Sequence, residues 1–248
     1  MKKTAFLLAL ATTSLFGAGR AEAIELGTPA TEHPYRSAQN FALELRFGPY
    51  YPNIDDEPGL NGRPFYDRFG DKARVYVGLE VDWQALRIPH LGTVGPGLSV
   101  GMVSMSRDAT TVSGRPSGDE YTLKIYPFTL DAVLRADVLW RDAGFPFVPY
   151  GKLGVGYALW RASNSGGTSS ADGISGKGAT WGPHGALGVA FALDALDQGA
   201  SRNMDNATGI NNTYVYFEMY WLNLTGIGQS NALRVGTNSW VMGLTFEF

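Results

Sequence analysis

The chain has 248 residues, a formal net charge of -3, 32 glycines and no cysteine. Its 12 tyrosines and 6 tryptophans, set beside sparse lysine and glutamate, disfavour helices, and singly scattered charges exclude the basic stripe that a nucleic-acid partner requires. Without cysteine there is no disulfide framework, so one ordinary core or one barrel must hold the chain.

Lys2 and Lys3 precede an apolar run over residues 5–11, and Ala21 and Ala23 supply small side chains at the two positions a signal peptidase reads. This pattern predicts a cleavable export signal at 1–23, a short N-terminal segment at 24–38 and the folded body at 39–248. The apolar run, broken by Thr12, Thr13 and Ser14, is too short for the roughly 20 residues of a membrane helix, and no later segment qualifies.

From 41 to 47 the chain alternates, with Phe41, Leu43, Leu45 and Phe47 on one face and Ala42, Glu44 and Arg46 on the other. A second strand over 73–83 opposes Val75, Val77, Leu79, Val81 and Trp83 to Arg74, Tyr76, Gly78, Glu80 and Asp82, and a third over 97–104 offers Leu98, Val100 and Met102 against small residues. In the fourth, 120–139, the apolar phase switches: Tyr121, Leu123 and Ile125 lead before Pro127, whereas Leu130, Ala132, Leu134, Ala136 and Val138 carry it afterwards. A β-bulge near Pro127 accounts for the switch, the alternative being a hairpin whose first arm is shorter than the nine to eleven residues that cross a bilayer.

The fifth strand, 148–159, sets Leu153, Val155, Tyr157 and Leu159 against Lys152, Gly154, Gly156 and Ala158. The sixth opposes Leu187, Val189, Phe191 and Leu193 to His184, Ala186, Gly188, Ala190 and Ala192, with a bend at Gly182-Pro183 near its start. The seventh, 213–221, sets Val215, Phe217, Met219 and Trp221 against Tyr214, Tyr216, Glu218 and Tyr220. The eighth is the C-terminal stripe of Trp240, Met242, Leu244, Phe246 and Phe248, backed by Ser239, Val241, Gly243, Thr245 and Glu247. Alone, such a stripe suits the last strand of a soluble sandwich equally well.

Four connections at one end, 49–72, 107–118, 161–180 and 223–233, are polar and rich in Gly, Ser, Asn and Asp. At the other end 84–96 and 141–147 are shorter, while 194–211 is long and predicts one or two helical turns within 195–204. Aromatic residues suit two girdles, with Tyr50, Tyr51, Tyr121, Trp160, Trp181 and Trp221 toward one rim and Trp83, Trp140, Phe246 and Phe248 toward the other. The expected fold is all-β: an antiparallel eight-stranded transmembrane up-and-down barrel. Its even strand count puts both termini on the periplasmic side of a bacterial outer membrane.

The inner faces then carry Glu44, Arg46, Arg74, Glu80, Asp82, Lys124, Asp131, Arg135, Asp137, Lys152, His184, Glu218 and Glu247. An unpaired buried charge is costly, so these side chains must pair. The network we expect comprises Glu44, Arg46, Arg74, Glu80, Asp82, Lys152, Glu218 and Glu247, and closure of the barrel predicts a contact between Arg46 and Glu247. His184, the one histidine on a predicted strand, has no serine in its register, so no catalytic group is assigned. Asp55, Asp56 and Glu57 match no cation-loop spacing and read as solvated loop acids, and Gly154-x-Gly156 lacks the helix a dinucleotide site requires. No cofactor or metal is expected.

Phe47-Gly48-Pro49-Tyr50-Tyr51-Pro52, Pro64-Phe65-Tyr66-Asp67, Val148-Pro149-Tyr150-x-Lys152-Leu153-Gly154 and Leu196-Asp197 together resemble a family of small outer-membrane β-barrels known chiefly from myxobacteria. In architecture the chain is also similar to the OmpA-type transmembrane domain, with no peptidoglycan-binding domain expected after the barrel. The terminal Phe246 and Phe248 resemble the C-terminal signal read by the barrel assembly machinery. That resemblance implies no reaction. From the eight amphipathic segments and the polar loops on a rigid scaffold we expect a monomer among outer-membrane lipid and lipopolysaccharide, with a structural or surface-interaction role through its extracellular loops. A narrow passive pore, allowed by inner glycines at Gly78, Gly101, Gly154, Gly156, Gly188 and Gly243, is the alternative; a lipid-A-modifying enzyme ranks third.

Overall fold

A computed structural model describes residues 24–25, 40–110, 116–171, 174–229 and 232–248. The predicted export signal and most of the segment 24–38 lie outside them. Eight strands build the body: β1 (Phe41–Tyr50), β2 (Arg74–Trp83), β3 (Gly92–Thr110), β4 (Pro116–Arg135), β5 (Phe147–Asn164), β6 (Lys177–Ala192), β7 (Asn212–Leu222) and β8 (Thr237–Glu247). Each pairs antiparallel with its sequence neighbours, and β8 returns to β1 with Leu244 opposite Leu45 and Glu247 opposite Ala42. The sheet is therefore a closed antiparallel eight-stranded barrel over the height its strands share, as the alternation of the sequence requires. Ile24–Glu25 adds in parallel to a short strand at Leu86–Ile88.

Strand lengths divide the barrel in two. β1, β2, β7 and β8 have 10 or 11 residues, whereas β3 to β6 have 16 to 20. About 9 to 11 tilted residues cross a hydrocarbon layer. The long strands exceed that length and extend past their shorter neighbours, and the excess stands at the end away from Phe41 and Phe248, here called the far end. This overshoot corrects the bulge expected at Pro127. Pairing on both sides of β4 runs without a slip through that proline, from Arg135–Tyr150 to Thr122–Ser163 against β5 and from Leu130–Leu98 to Met105–Leu123 against β3. From 123 to 135 the odd-numbered residues point inward: Leu123, Ile125, Thr129, Asp131, Val133 and Arg135 are all buried. The apolar phase changes because the surroundings change. Toward the near end apolar side chains face outward and polar ones fill the lumen; toward the far end Leu123 and Ile125 turn into the lumen with Val103 and Met105 while Lys124 faces out.

Turn chemistry fixes the near-end connections. The expected continuation of β4 through 139 is instead helix α2 (Val138–Ala143), closed by Gly144 at φ 68°. There the Gly144 and Phe145 N–H groups donate back to Trp140 and Leu139, so a left-handed glycine ends the helix and turns the chain into β5. The long near-end connection holds α3 (Gln198–Thr208), 11 residues where one or two turns were expected. At the far end the β1–β2 loop carries α1 (Pro64–Phe69). Gly182-Pro183 lies within β6 rather than near its start, with Pro183 opposite Val155.

Candidate functional site

Charged side chains meet at mid-height in the lumen because the inward parity of β1, β2, β5, β7 and β8 places Glu44 and Arg46, Glu80 and Asp82, Lys152, Glu218 and Glu247 on the inner wall. Lys152 Nζ lies 2.8 Å from Glu44, 2.8 Å from Glu80 and 2.9 Å from Glu218. Arg46 bridges Glu80 and Glu218 and reaches Glu44 at 3.4 Å. Arg135, outside the expected network, links it downward: it is 2.6 Å from Glu44 and 3.6 Å from Glu247. Glu247 in turn accepts from Gln84 at 2.8 Å, Tyr214 at 2.8 Å and Asn212 at 3.1 Å. All of these charged groups are buried.

The following placements correct the sequence reading. Arg74 is not in the network: it ends β2 at the far rim, where its guanidinium donates to the carbonyls of Lys72 and Phe69. Arg46 does not meet Glu247, because register sets Arg46 opposite Gly243, four residues before Glu247 on β8; Arg135 joins the two regions through Glu44. Lys124 likewise faces outward, and Asp137 lies just beyond β4, 3.7 Å from both Arg87 and Arg141. Burial pushes the Asp137 carboxyl above its ordinary range, while Arg141 pulls it the other way.

Asp82 is buried, and neither of its carboxylate oxygens has a hydrogen-bond partner among the described residues; it stands beside Glu80 and Gly97. Glu44, Glu80 and Asp82 bring oxygens within 4.8 Å of one another, a spacing a metal ion can use. The Lys152 ammonium, bonded to both Glu44 and Glu80, already supplies a cation there. A second buried group holds His184 Nδ1 at 2.8 Å from Asp131, whose other oxygen accepts from Thr129 at 2.6 Å, with Ser99 at 2.7 Å from Thr129. Both hydroxyls therefore stand on the aspartate side and none on the imidazole, an order that does not activate a nucleophile.

The inner glycines make room for rings. A side chain at Gly78 or Gly101 would collide with Tyr76, one at Gly188 with Tyr150, and one at Gly156 with Leu222. Above the charges, Tyr50, Tyr76, Met105, Leu123, Leu222 and Val241 pack the far half of the lumen. Tyr50, expected in a girdle, points inward, stacks on Tyr76 and donates to the Val235 carbonyl; Trp160 also turns inward. Trp83, Trp181, Trp221 and Trp240 remain exposed on the outer wall.

The loop acids have structural work. Asp55 accepts from the Phe65 and Tyr66 N–H groups at 2.7 and 2.9 Å, capping α1 from ten residues away, since Arg63 at the cap position offers no acceptor. Glu57 lies 3.2 Å from Arg234 and so ties the β1–β2 loop to the β7–β8 loop. Buried Phe65 meets Tyr51 edge-on at 5.1 Å. The β1–β2 loop is thus folded and fastened to its neighbour. Sequence reading missed this role for Asp55, although a short helix starting Pro64-Phe65 with no capping residue of its own was a signal that some acceptor must come from elsewhere.

No protein-family model matches the chain, and no curated protein matches it. Among solved structures it is similar to Ail, the attachment invasion locus protein of Yersinia pestis, crystallised with the heparin analogue sucrose octasulfate, at 13% identity over 85% of this chain and 97% of that one, with a TM-score of 0.44. It is also similar to Neisserial surface protein A at 11% identity, with 85% and 97% covered and a TM-score of 0.41. The N-terminal β-barrel domain of Pseudomonas aeruginosa OprF matches at 13% identity, with 85% and 98% covered and a TM-score of 0.39. At this degree of likeness neither the ligands nor the roles of those proteins transfer.

Proposed function

We propose that the chain is a bacterial outer-membrane barrel, of the small type its motifs resemble, that serves as a closed scaffold for surface interaction through its far-end loops. One observation carries this reading: the wall is inside out relative to a water-soluble protein. Val75, Leu79, Leu98, Leu130, Leu153 and Leu187 lie exposed on the outside while Glu44, Arg46, Glu80, Lys152 and Glu218 are buried within. Hydrocarbon is the solvent that favours this arrangement, because it accepts the apolar wall and drives the charges to one another. The long far-end loop at 51–73 and the short near-end turn at 84–91 support an orientation with the termini in the periplasm, short turns being usual on that side. Protease added to intact cells is expected to cut within 165–176 and to spare 193–211; the reverse pattern would invert the orientation, and no cutting until cells are lysed would argue against surface exposure.

Loops fastened as Glu57–Arg234 and Tyr51–Phe65 fasten them suit a platform better than a mouth. The charge cluster and the rings above it stand in the lumen that a pore would need, which supports a closed scaffold. We also read the barrel as non-enzymatic and monomeric, assembled by the barrel machinery through its terminal strand. Two null results are expected together: reconstituted protein passes no steady ohmic current across a planar bilayer, and cells expressing it keep an unaltered lipid A mass spectrum. Steady current would favour the narrow pore, and altered lipid A an enzyme.

A further inference from the structure

Three cations on the outer wall stand in one row. Register places Lys124 of β4 directly opposite Arg161 of β5, and Arg161 directly opposite Lys177 of β6. All three are exposed, and none makes an ion pair or side-chain hydrogen bond among the described residues. Directly opposed residues hold their Cβ atoms roughly 4.5–5.5 Å apart, where like charges repel and destabilise the sheet. The nearest acids on the adjoining strands, Asp108 and Glu120, face each other four residues farther toward the far end, and Ser104 stands on the other flank of Lys124. The row is thus a built concentration of positive charge without a counter-ion among the described residues.

Its position says what supplies the counter-ion. Two residues nearer the middle of the barrel, the same three strands carry Tyr126, Leu159 and Ala179; two residues nearer still they carry Phe128, Tyr157 and Trp181, again directly opposed. From Leu130 and Val155 the wall therefore passes through this aromatic row to the cationic row, the aromatic and cationic rows standing four residues, or about 13 Å of strand, apart. This is the order of hydrocarbon, interface and charged head group in a bilayer.

We propose that Lys124, Arg161 and Lys177 together bind the phosphate of an anionic lipid head group in the leaflet at the far end. The proposal rests on the membrane reading above and adds a ligand to it. Two ammonium groups flank one guanidinium, and the three converge on a group with several charged oxygens: the guanidinium offers a paired donor face and each ammonium a point charge. Opposition of like charges, a cost in the empty wall, becomes the binding geometry when the anion is present.

The test compares the full-length folded protein with the triple variant K124Q/R161Q/K177Q in three media: phosphatidylcholine vesicles, the same vesicles doped with lipid A, and undoped vesicles with inorganic phosphate added. In undoped vesicles the variant is expected to unfold at or above the wild-type midpoint, since its repulsion has been removed. With lipid A the wild-type midpoint should shift upward and the variant's should not, reversing their order. An equal upward shift in both proteins would overturn the site, and a shift produced in full by inorganic phosphate would overturn the lipid as its ligand. The control Lys72→Gln, a loop cation outside the row, should behave as wild type; loss of the shift in that variant would also overturn the site. Failure of either protein to insert into any vesicle would count against the membrane reading instead.

Discussion

Replacing Leu153 by arginine is expected to destabilise the folded protein in a bilayer by about 2–4 kcal/mol, the cost of a cation near the midplane of a transmembrane barrel. The same replacement at Leu196 should change stability by about 0.5 kcal/mol or less. The two leucines are equally exposed, at 73% each, so no argument from burial separates them. What differs is the medium each is exposed to. Leu153 sits mid-strand on the outer wall of β5, flanked by the outward Val155, whereas Leu196 follows the short helical turn at Leu193–Ala195 in the long near-end connection. Reversible urea unfolding in phospholipid vesicles reads both values. If L153R and L196R prove equally mild, water rather than hydrocarbon surrounds the barrel, and the proposed location is wrong.

Closure, strand count and the inner or outer address of nearly every mid-strand residue were legible, because a period of two leaves only one choice once a single face is known to be apolar. The phase switch around Pro127 was legible as a signal and misread as a bulge. A bulge is needed only if one surrounding holds along the whole strand, whereas the apolar side of β4 turns from the outer wall to the lumen without any change of register. The same cause explains Tyr50 and Trp160, which sit past that boundary and so pack the lumen rather than a girdle. Of the expected network, Glu44, Arg46, Glu80, Asp82, Lys152, Glu218 and Glu247 do lie buried together in the lumen, but who touches whom depends on strand stagger. A period-two pattern carries no information on stagger, so it puts Arg135 on the inner face without joining it to Glu44 and Glu247, and it cannot separate Arg46 from Glu247. Arg74 was assigned by parity alone, and a residue at a strand end can satisfy parity while its side chain leaves with the loop.

Stagger is also what makes Lys152 the most consequential single side chain in the lumen. Its ammonium is fully buried and touches Glu44, Glu80 and Glu218 at once. Lys152→Met keeps most of the stem and removes only the charge. Three carboxylates then share Arg46 and Arg135, and Glu80 and Glu218 depend on Arg46 alone among the ion pairs described. Breaking a buried pair from one side costs about 3–5 kcal/mol, because the remaining charge is left desolvated without compensation. Adding Glu44→Gln to Lys152→Met removes one of the stranded charges, so the double variant should be more stable than the sum of the two single losses allows, with a coupling of about 0.5–3 kcal/mol. Arg74→Met, outside the network at the far rim, should cost about 0.5 kcal/mol or less. Unfolding in vesicles of the four proteins settles the point: additive losses for Lys152 and Glu44 would mean that the two side chains do not act on each other, and a loss at Arg74 as large as that at Lys152 would put the centre of the charge network at the rim instead of mid-lumen.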